Sequence, residues 1–368
     1  MTTTPAPTEP PGSAMTDEAY GDVRASAALW AGASVVITNE AGEVLVQEVD
    51  YRSTRLLPGG GVDPGESPAA AASRELMEEL GVEEAVDQAL AVDWVAPDAA
   101  PTPAAMRFPG ELLTVFDGGT WDEGRIAEIR LPPSEITAIS FVPPARLPDL
   151  LSPTDARRAL SALRARINGA GTALLENGRP IAPTVLDRLK VLSTAPPAYH
   201  YSWSWSWHPG EAPPGHDIAQ VWAWAFAPDG RILVLLDPET GTAVLPGGKP
   251  ESRDQGDPAS TLRRESDEEA AARLGTPLLI GHVAAPSRPR SCLRYAAALT
   301  GIGPTRPDSA TGTTYTRILA TPEQAVSLFD WGPHTSQQLA AVHQARQRLG
   351  IPRAARQAVT ELTGTTSW

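Results

Sequence analysis

Two stretches of the chain repeat one hydrophobic pattern. In AGASVVITNEAGEVLVQEV (Ala31–Val49) two apolar runs of strand length flank a polar turn at Asn39–Gly42, and in DIAQVWAWAFAPDGRILVLLD (Asp217–Asp237) two more flank Pro228, Asp229 and Gly230. Such runs around turn residues predict a pair of strands in each half. Each pair leads into a Leu-Pro-Gly-Gly loop, LLPGGGVDPGES or AVLPGGKPES, and then into an acidic segment with helical periodicity, SPAAAASRELMEELG or PASTLRRESDEEAAARLG. An internal duplication explains the shared layout most economically. Further strands are predicted at Gly110–Gly119 and Glu135–Val142, and in the second half at PLLIGHVAA, CLRYAAALT and TYTRILA. Apolar residues at helical spacing close the halves, over residues 153–167 and 335–350.

These elements predict an α+β protein of two tandem domains with mixed sheets, residues 23–195 and 196–368. The boundary is placed near Ala195, in a segment that mixes proline with aromatic residues. A length of 368 residues agrees, since single cores seldom grow past about 250 residues. The hydrophobic fraction of 42% and charged fraction of 20% exclude a wholly disordered chain. A formal charge of −14 argues against a long nucleic acid as partner. It leaves room for a small phosphorylated one, because bound metal reverses the local sign of an acidic site. Cys292 is the only cysteine, so no intrachain disulfide can form and the expected compartment is the cytoplasm. Residues 1–22 lack the apolar core of a signal peptide and are expected to form a disordered tail. No run is long enough to span a bilayer, so no membrane partner is expected.

The candidate chemistry lies on the first acidic helix. Ser67 is a natural N-cap with Pro68 at the first helical position, which predicts a helix running through Leu80, and Gly81 can end it in the left-handed conformation. Gly60 is expected to supply unusual backbone dihedrals beside the site. On this helix Glu75, Glu78 and Glu79 stand at i, i+3 and i+4, placing three carboxylates on one face. Their mutual repulsion asks for a cation, and hard oxygen donors suit Mg²⁺ or Mn²⁺ with a diphosphate as co-ligand. Arg74 is positioned to clamp Glu66 of the preceding loop. A solvated helix face is the plain alternative for an isolated acidic pair; here the whole pattern from Gly60 to Val82 falls into register.

The segment GGGVDPGESPAAAASRELMEELGV resembles a complete Nudix box, and the likeness extends more loosely over about residues 28–150. The resemblance implies two tandem αβα sandwich domains. It also implies a pyrophosphohydrolase in which water attacks a phosphorus of a nucleoside diphosphate linked to another moiety. Candidate substrates are a nucleotide sugar such as ADP-ribose, a dinucleotide or a modified nucleoside triphosphate. Glu75, Glu78 and Glu79 match the family's metal-binding glutamates, one of them or a glutamate elsewhere acting as base. Family members often dimerise, so a homodimer or pairing of the two domains within the chain is expected.

The second acidic helix repeats the core of the pattern as Arg264, Glu265, Ser266, Asp267, Glu268 and Glu269. Its loop is about two residues longer, which brings Gly256 to the position of Glu66; Glu251 or Asp254 could replace it as the partner of Arg264. Ala271 stands where Gly81 would, so this helix is expected to continue to Arg273 or Leu274. Two readings follow: Glu265, Glu268 and Glu269 form a second metal site, or the domain keeps the fold without catalysis, either as a nucleotide sensor or as a purely structural duplicate. Tyr201, Trp203, Trp205 and Trp207 are expected to pack a linker strand on the second domain. Glu135 is an auxiliary acid candidate.

Overall fold

The computed structural model describes residues 29–97, 110–132, 136–189, 205–284, 289–329 and 334–368, with Ala19 and Asp22. The rest of the expected tail, the boundary at Ala195, Glu135, Tyr201 and Trp203 lie outside the described residues.

In the first half β1 (Trp30–Asn39) and β2 (Val44–Val49) form the predicted hairpin. The glycine loop becomes β3 (Gly59–Gly61), the acidic segment α1 (Pro68–Leu80), and β4 (Ala89–Val95), β5 (Glu111–Trp121) and β6 (Ile136–Val142) follow. Then come a 16-residue helix, α2 (Pro153–Asn168), and a small hairpin of β7 (Ala173–Glu176) and β8 (Arg179–Pro180). The strand order is β6-β2-β1-β5-β4-β7-β8, with β3 on β1. β1 runs parallel to β5 and β4 to β7, so the sheet is mixed.

The second half repeats this order. It contains β9 (Ser206–Pro209), β10 (Asp217–Phe226), β11 (Ile232–Leu236), β12 (Ala243–Val244), β13 (Gly247–Gly248), α3 (Pro258–Ala270), β14 (Ala272–Leu274), β15 (Leu278–Ala284), β16 (Arg290–Ile302) and β17 (Thr316–Ala320). The path β17-β11-β10-β16-β15 matches β6-β2-β1-β5-β4 strand for strand, and β9 extends it at the edge. Registers agree as well: Gly248 lies opposite Val221 as Gly60 lies opposite Ala33, and Val244 opposite Leu235 as Leu56 opposite Gln47. The hairpin and glycine loop therefore correspond without insertion. Trp207 sits on β9 and packs on the core, as expected of the aromatic linker strand.

Each acidic helix covers one face of its sheet. Ala72, Leu76 and Leu80 of α1 bury against Val35, Ile37 and Leu45; Leu262 of α3 buries against Val221, Leu233 and Leu235. The opposite faces meet in a single core. Val36, Val46 and Leu160 of the first half share it with Phe226, Val234 and Val342 of the second. Polar bonds cross the same seam. Gln324, in α4 (Pro322–Val326), donates from Nε2 to the carbonyls of Ile167 and Asn168, each at 3.0 Å, and the Val359 amide donates to Asn168 Oδ1 at 2.9 Å.

Two helix boundaries differ from the sequence reading. The closing segment is a short helix at His334–Gln337 followed by α5 (Leu339–Arg348). α3 ends at Ala270, with Ala271 in the left-handed region at φ 51°. The Ala271 carbonyl accepts from the Gly303 amide and residues 272–274 pair with β16. These sheet bonds replace the extra helical turn, although a non-glycine residue pays about 1–2 kcal/mol for that conformation.

Candidate metal-binding active site

Ser67 caps α1 as its sequence position predicts, accepting from the Ala70 amide at 3.2 Å, and Gly81 closes it at φ 67°. With the frame so fixed, Arg74 turns back over the loop. Its Nε and Nη2 donate to the two oxygens of Glu66 at 3.1 and 3.0 Å, Nη2 also donates to the Gly61 carbonyl, and Nη1 donates to Glu75 and Glu78 at 2.9 Å each. One guanidinium thereby ties loop, helix and two of the three carboxylates together. Its bonds hold the Glu66 carboxyl below the ordinary glutamate range and in return raise Arg74.

The structure divides the loop glycines differently from the sequence reading. The unusual backbone belongs to Gly59, at φ 138°, and not to Gly60. Gly60 is needed for space: a Cβ there would stand 2.3 Å from Glu75 Oε1. Glu79 is 9% exposed. It accepts from the Gly59 amide at 2.8 Å on Oε2 and from Gln47 Nε2 at 2.6 Å on Oε1. Glu78 is the exposed member, with 57% of its side chain accessible.

The second box reproduces this arrangement and supplies the clamp that simple alignment leaves out. Asp254, not Gly256, takes the place of Glu66. Arg264 Nε and Nη2 donate to its two oxygens at 2.8 Å each, Nη1 to Glu265 and Glu268 at 2.9 and 3.1 Å, and Nη2 to the Lys249 carbonyl. The shorter carboxylate reaches because residues 252–254 form a 3₁₀ turn that the two additional loop residues permit. Glu251 contributes more loosely, at 3.4 Å. A Cβ on Gly248 would stand 2.4–2.5 Å from the Glu265 carboxylate, matching Gly60 and Glu75. Glu269 accepts from the Gly247 amide at 2.9 Å. Burial pushes it up to about 8, against that hydrogen bond and reinforced by Glu265 and Asp308. Burial also pushes Tyr315 up to about 12, with the Glu269 charge adding to it.

Both donor sets fit a hard divalent cation: three carboxylates on one helix face, with no softer ligand among them. Among the described residues no three acidic or histidine side chains already stand at metal-ligand spacing. Arg74 and Arg264 each engage two of their box's carboxylates.

Other acidic and histidine side chains have structural occupations. Asp117 pairs with Arg166 at 2.6 Å and Asp122 caps a short helix. His208 stacks on His282, His216 bonds Ser291 and His343 pairs with Glu323. Gln47 is the site residue that motif reading passes over; of the two loop acids it offers as partner of Arg264, the geometry selects Asp254 over Glu251. The available signal for Gln47 is its place two residues beyond buried Leu45, where the second half carries Leu235.

A model of the NUDIX domain matches residues 28–163. The RNA pyrophosphohydrolase of Rhodopseudomonas palustris is 32% identical over 133 residues, covering 32% of this chain and 80% of that protein. The RNA pyrophosphohydrolase of Brucella ovis is 34% identical over 139 residues, covering 34% and 71%. Among solved structures, the MutT protein from Methanosarcina mazei Go1 is 24% identical over 33% of this chain and 82% of its own, with a TM-score of 0.27. Two relatives above 30% identity, each covered over more than two thirds of its length, agree with a box folded as loop, capped helix and arginine clamp. The chain belongs to the Nudix family of hydrolases, which act on phosphoanhydride bonds.

Proposed function

We propose that the first half is a Mg²⁺- or Mn²⁺-dependent pyrophosphohydrolase cleaving a phosphoanhydride of a nucleoside diphosphate linked to another moiety. The observation that carries this is the Arg74 clamp, which holds Glu66, Glu75 and Glu78 around one guanidinium while Glu79 is held from the sheet. Glu75, Glu78 and Glu79 are the residues that would hold the cation. When bound, the cation neutralises phosphate charge and lowers the pKa of the attacking water. The chain itself orients the carboxylates, leaves the space above Gly60 open for Glu75, and offers a glutamate of the three to take the proton.

Substrate choice belongs to the loops around the box. The candidates are a nucleotide sugar such as ADP-ribose, a dinucleotide and a modified nucleoside triphosphate. Because the curated relatives are named RNA pyrophosphohydrolases, a pyrophosphate end of RNA joins them. The charge of −14 speaks against contact with a long RNA tract. We place the protein in the cytoplasm, consistent with its single cysteine; no helix among the described residues is long and apolar enough to cross a membrane. Residues 23–195 and 196–368 are proposed as the two Nudix-type units, paired within the chain, a reading supported by the common core and the bonds of Gln324 and Asn168.

Turnover of this panel in Mg²⁺, with wild type beside Glu78→Gln, tests the reading. Release of product that disappears in the variant supports it and identifies the substrate class; no turnover by folded wild type refutes it.

The second half supports a further reading as a nucleotide-binding sensor at Glu265, Glu268 and Glu269, because the Asp254–Arg264 clamp is retained around them. Calorimetry on the full-length Glu78→Gln protein with nucleotide and Mg²⁺ tests it. Binding that Glu268→Gln then removes favours a sensor, and no binding refutes it.

A further inference from the structure

We infer that Gln47 is a positioning residue for Glu79, and that Leu235 at the same place deprives the second box of this support. The inference rests on the hydrolase reading of the first box. Gln47 is fully buried on β2, and its Nε2 donates to Glu79 Oε1 while the Gly59 amide donates to Oε2. One donor on each oxygen fixes the rotation of the carboxylate.

The second half provides an internal comparison. Its hairpin and glycine loop keep the register of the first, so Leu235 opposite Val244 corresponds to Gln47 opposite Leu56. The amide bond also survives, from Gly247 to Glu269 Oε2. What differs is the second donor: Leu235 is fully buried among Leu233, Leu262 and Val221 and can donate nothing. This strand position therefore accepts an apolar side chain without change of fold. Glutamine is the less favourable occupant for packing, since Gln47 Oε1 is buried with no hydrogen-bond partner among the described residues. The bond to Glu79 is the return for that unsatisfied atom.

Support of this kind orients a ligand without touching substrate, and its loss typically lowers activity or metal affinity about 10- to 100-fold. The test uses the full-length protein with Gln47→Leu and the more shape-conserving Gln47→Met, both in a Glu268→Gln background that removes binding at the second box. Four quantities are read: kcat and KM on the substrate that wild type turns over, Mn²⁺ affinity by calorimetry without nucleotide, and the thermal midpoint. The expected result is kcat lowered about 10- to 100-fold, KM within about twofold, Mn²⁺ affinity weakened about tenfold and a thermal midpoint unchanged or raised.

Unchanged kcat and Mn²⁺ affinity in folded variants overturn the inference and leave the hydrolase reading standing. If wild type turns nothing over, that reading fails by itself and Mn²⁺ binding decides about Gln47. Equal affinity in parent and variants, or no binding by either, then overturns the inference. Failure of both variants to fold also overturns it, by making Gln47 a packing residue.

Discussion

The clamp of the second box can be weighed through Asp254→Asn. Asp254 is 4% exposed and accepts four hydrogen bonds: from Arg264 Nε and Nη2, from Thr261 Oγ1 at 2.9 Å and from the Glu251 amide at 2.8 Å. Asparagine keeps the volume, removes the charge and turns one acceptor into a donor facing the guanidinium. An exposed ion pair contributes about 0–1 kcal/mol, whereas breaking a buried one costs about 3–5 kcal/mol by stranding the other charge. Arg264 keeps Glu265, Glu268 and the Lys249 carbonyl, which points to the lower end, about 3 kcal/mol. Urea unfolding at neutral pH, followed by tryptophan fluorescence and circular dichroism together, measures the difference.

The pH dependence supplies a second check. The Arg264 hydrogen bonds hold the Asp254 carboxyl well below the usual aspartate range, so the unfolded chain binds its proton first as pH falls. The stabilisation is complete above the ordinary aspartate value of about 3.9 and is lost as pH drops below it toward the folded value. The gap between wild type and Asp254→Asn should therefore narrow only in acid. A penalty below about 0.5 kcal/mol at neutral pH, the range of ordinary surface changes, refutes the clamp assignment.

Ala271→Gly should stabilise by about 0.5–1 kcal/mol, because relief of the left-handed strain exceeds the loss of one methyl's burial; a lowered urea midpoint contradicts this. Gln324→Ala strands buried carbonyls at the seam between the halves and should cost about 1–3 kcal/mol in the same assay. If it also splits one unfolding transition into two, the halves are held together chiefly by these bonds and not by the shared core. Glu269, pushed up to about 8 by burial, is largely protonated at neutral pH. Mn²⁺ affinity at the second box, measured in Glu78→Gln, should rise up to about tenfold per pH unit below that value, and a flat profile from about pH 6.5 to 8.5 opposes it. The sign for stability is opposite: its raised value contributes below the unfolded glutamate value of about 4.3, and that contribution is lost as pH rises toward about 8.

By itself the sequence determined whatever depends on neighbours along the chain. The two strand pairs follow from apolar runs around Asn39–Gly42 and Pro228–Gly230. The helix frame follows from Ser67, Pro68 and Gly81, and that frame places Glu75, Glu78 and Glu79 on one face with Arg74 facing Glu66. Such features are local because one turn of helix or one hairpin fixes them.

Only the tertiary structure decided the rest. Asp254 could not be chosen over Glu251 or Gly256 until the 3₁₀ turn gave its carboxylate a direction. The end of α3 at Ala271 depended on bonds from a strand about thirty residues away, which no helix propensity contains. Gln47 reads as one polar residue in a buried strand until folding brings Glu79 to it across 32 positions of chain. The core shared by the two halves needed both sheets in place, since a face that looks complete in one half is covered by the other. The physical reason is the same in each case: burial, hydrogen-bond direction and carboxylate orientation belong to pairs of residues remote in sequence, and those pairs exist only once the chain is folded.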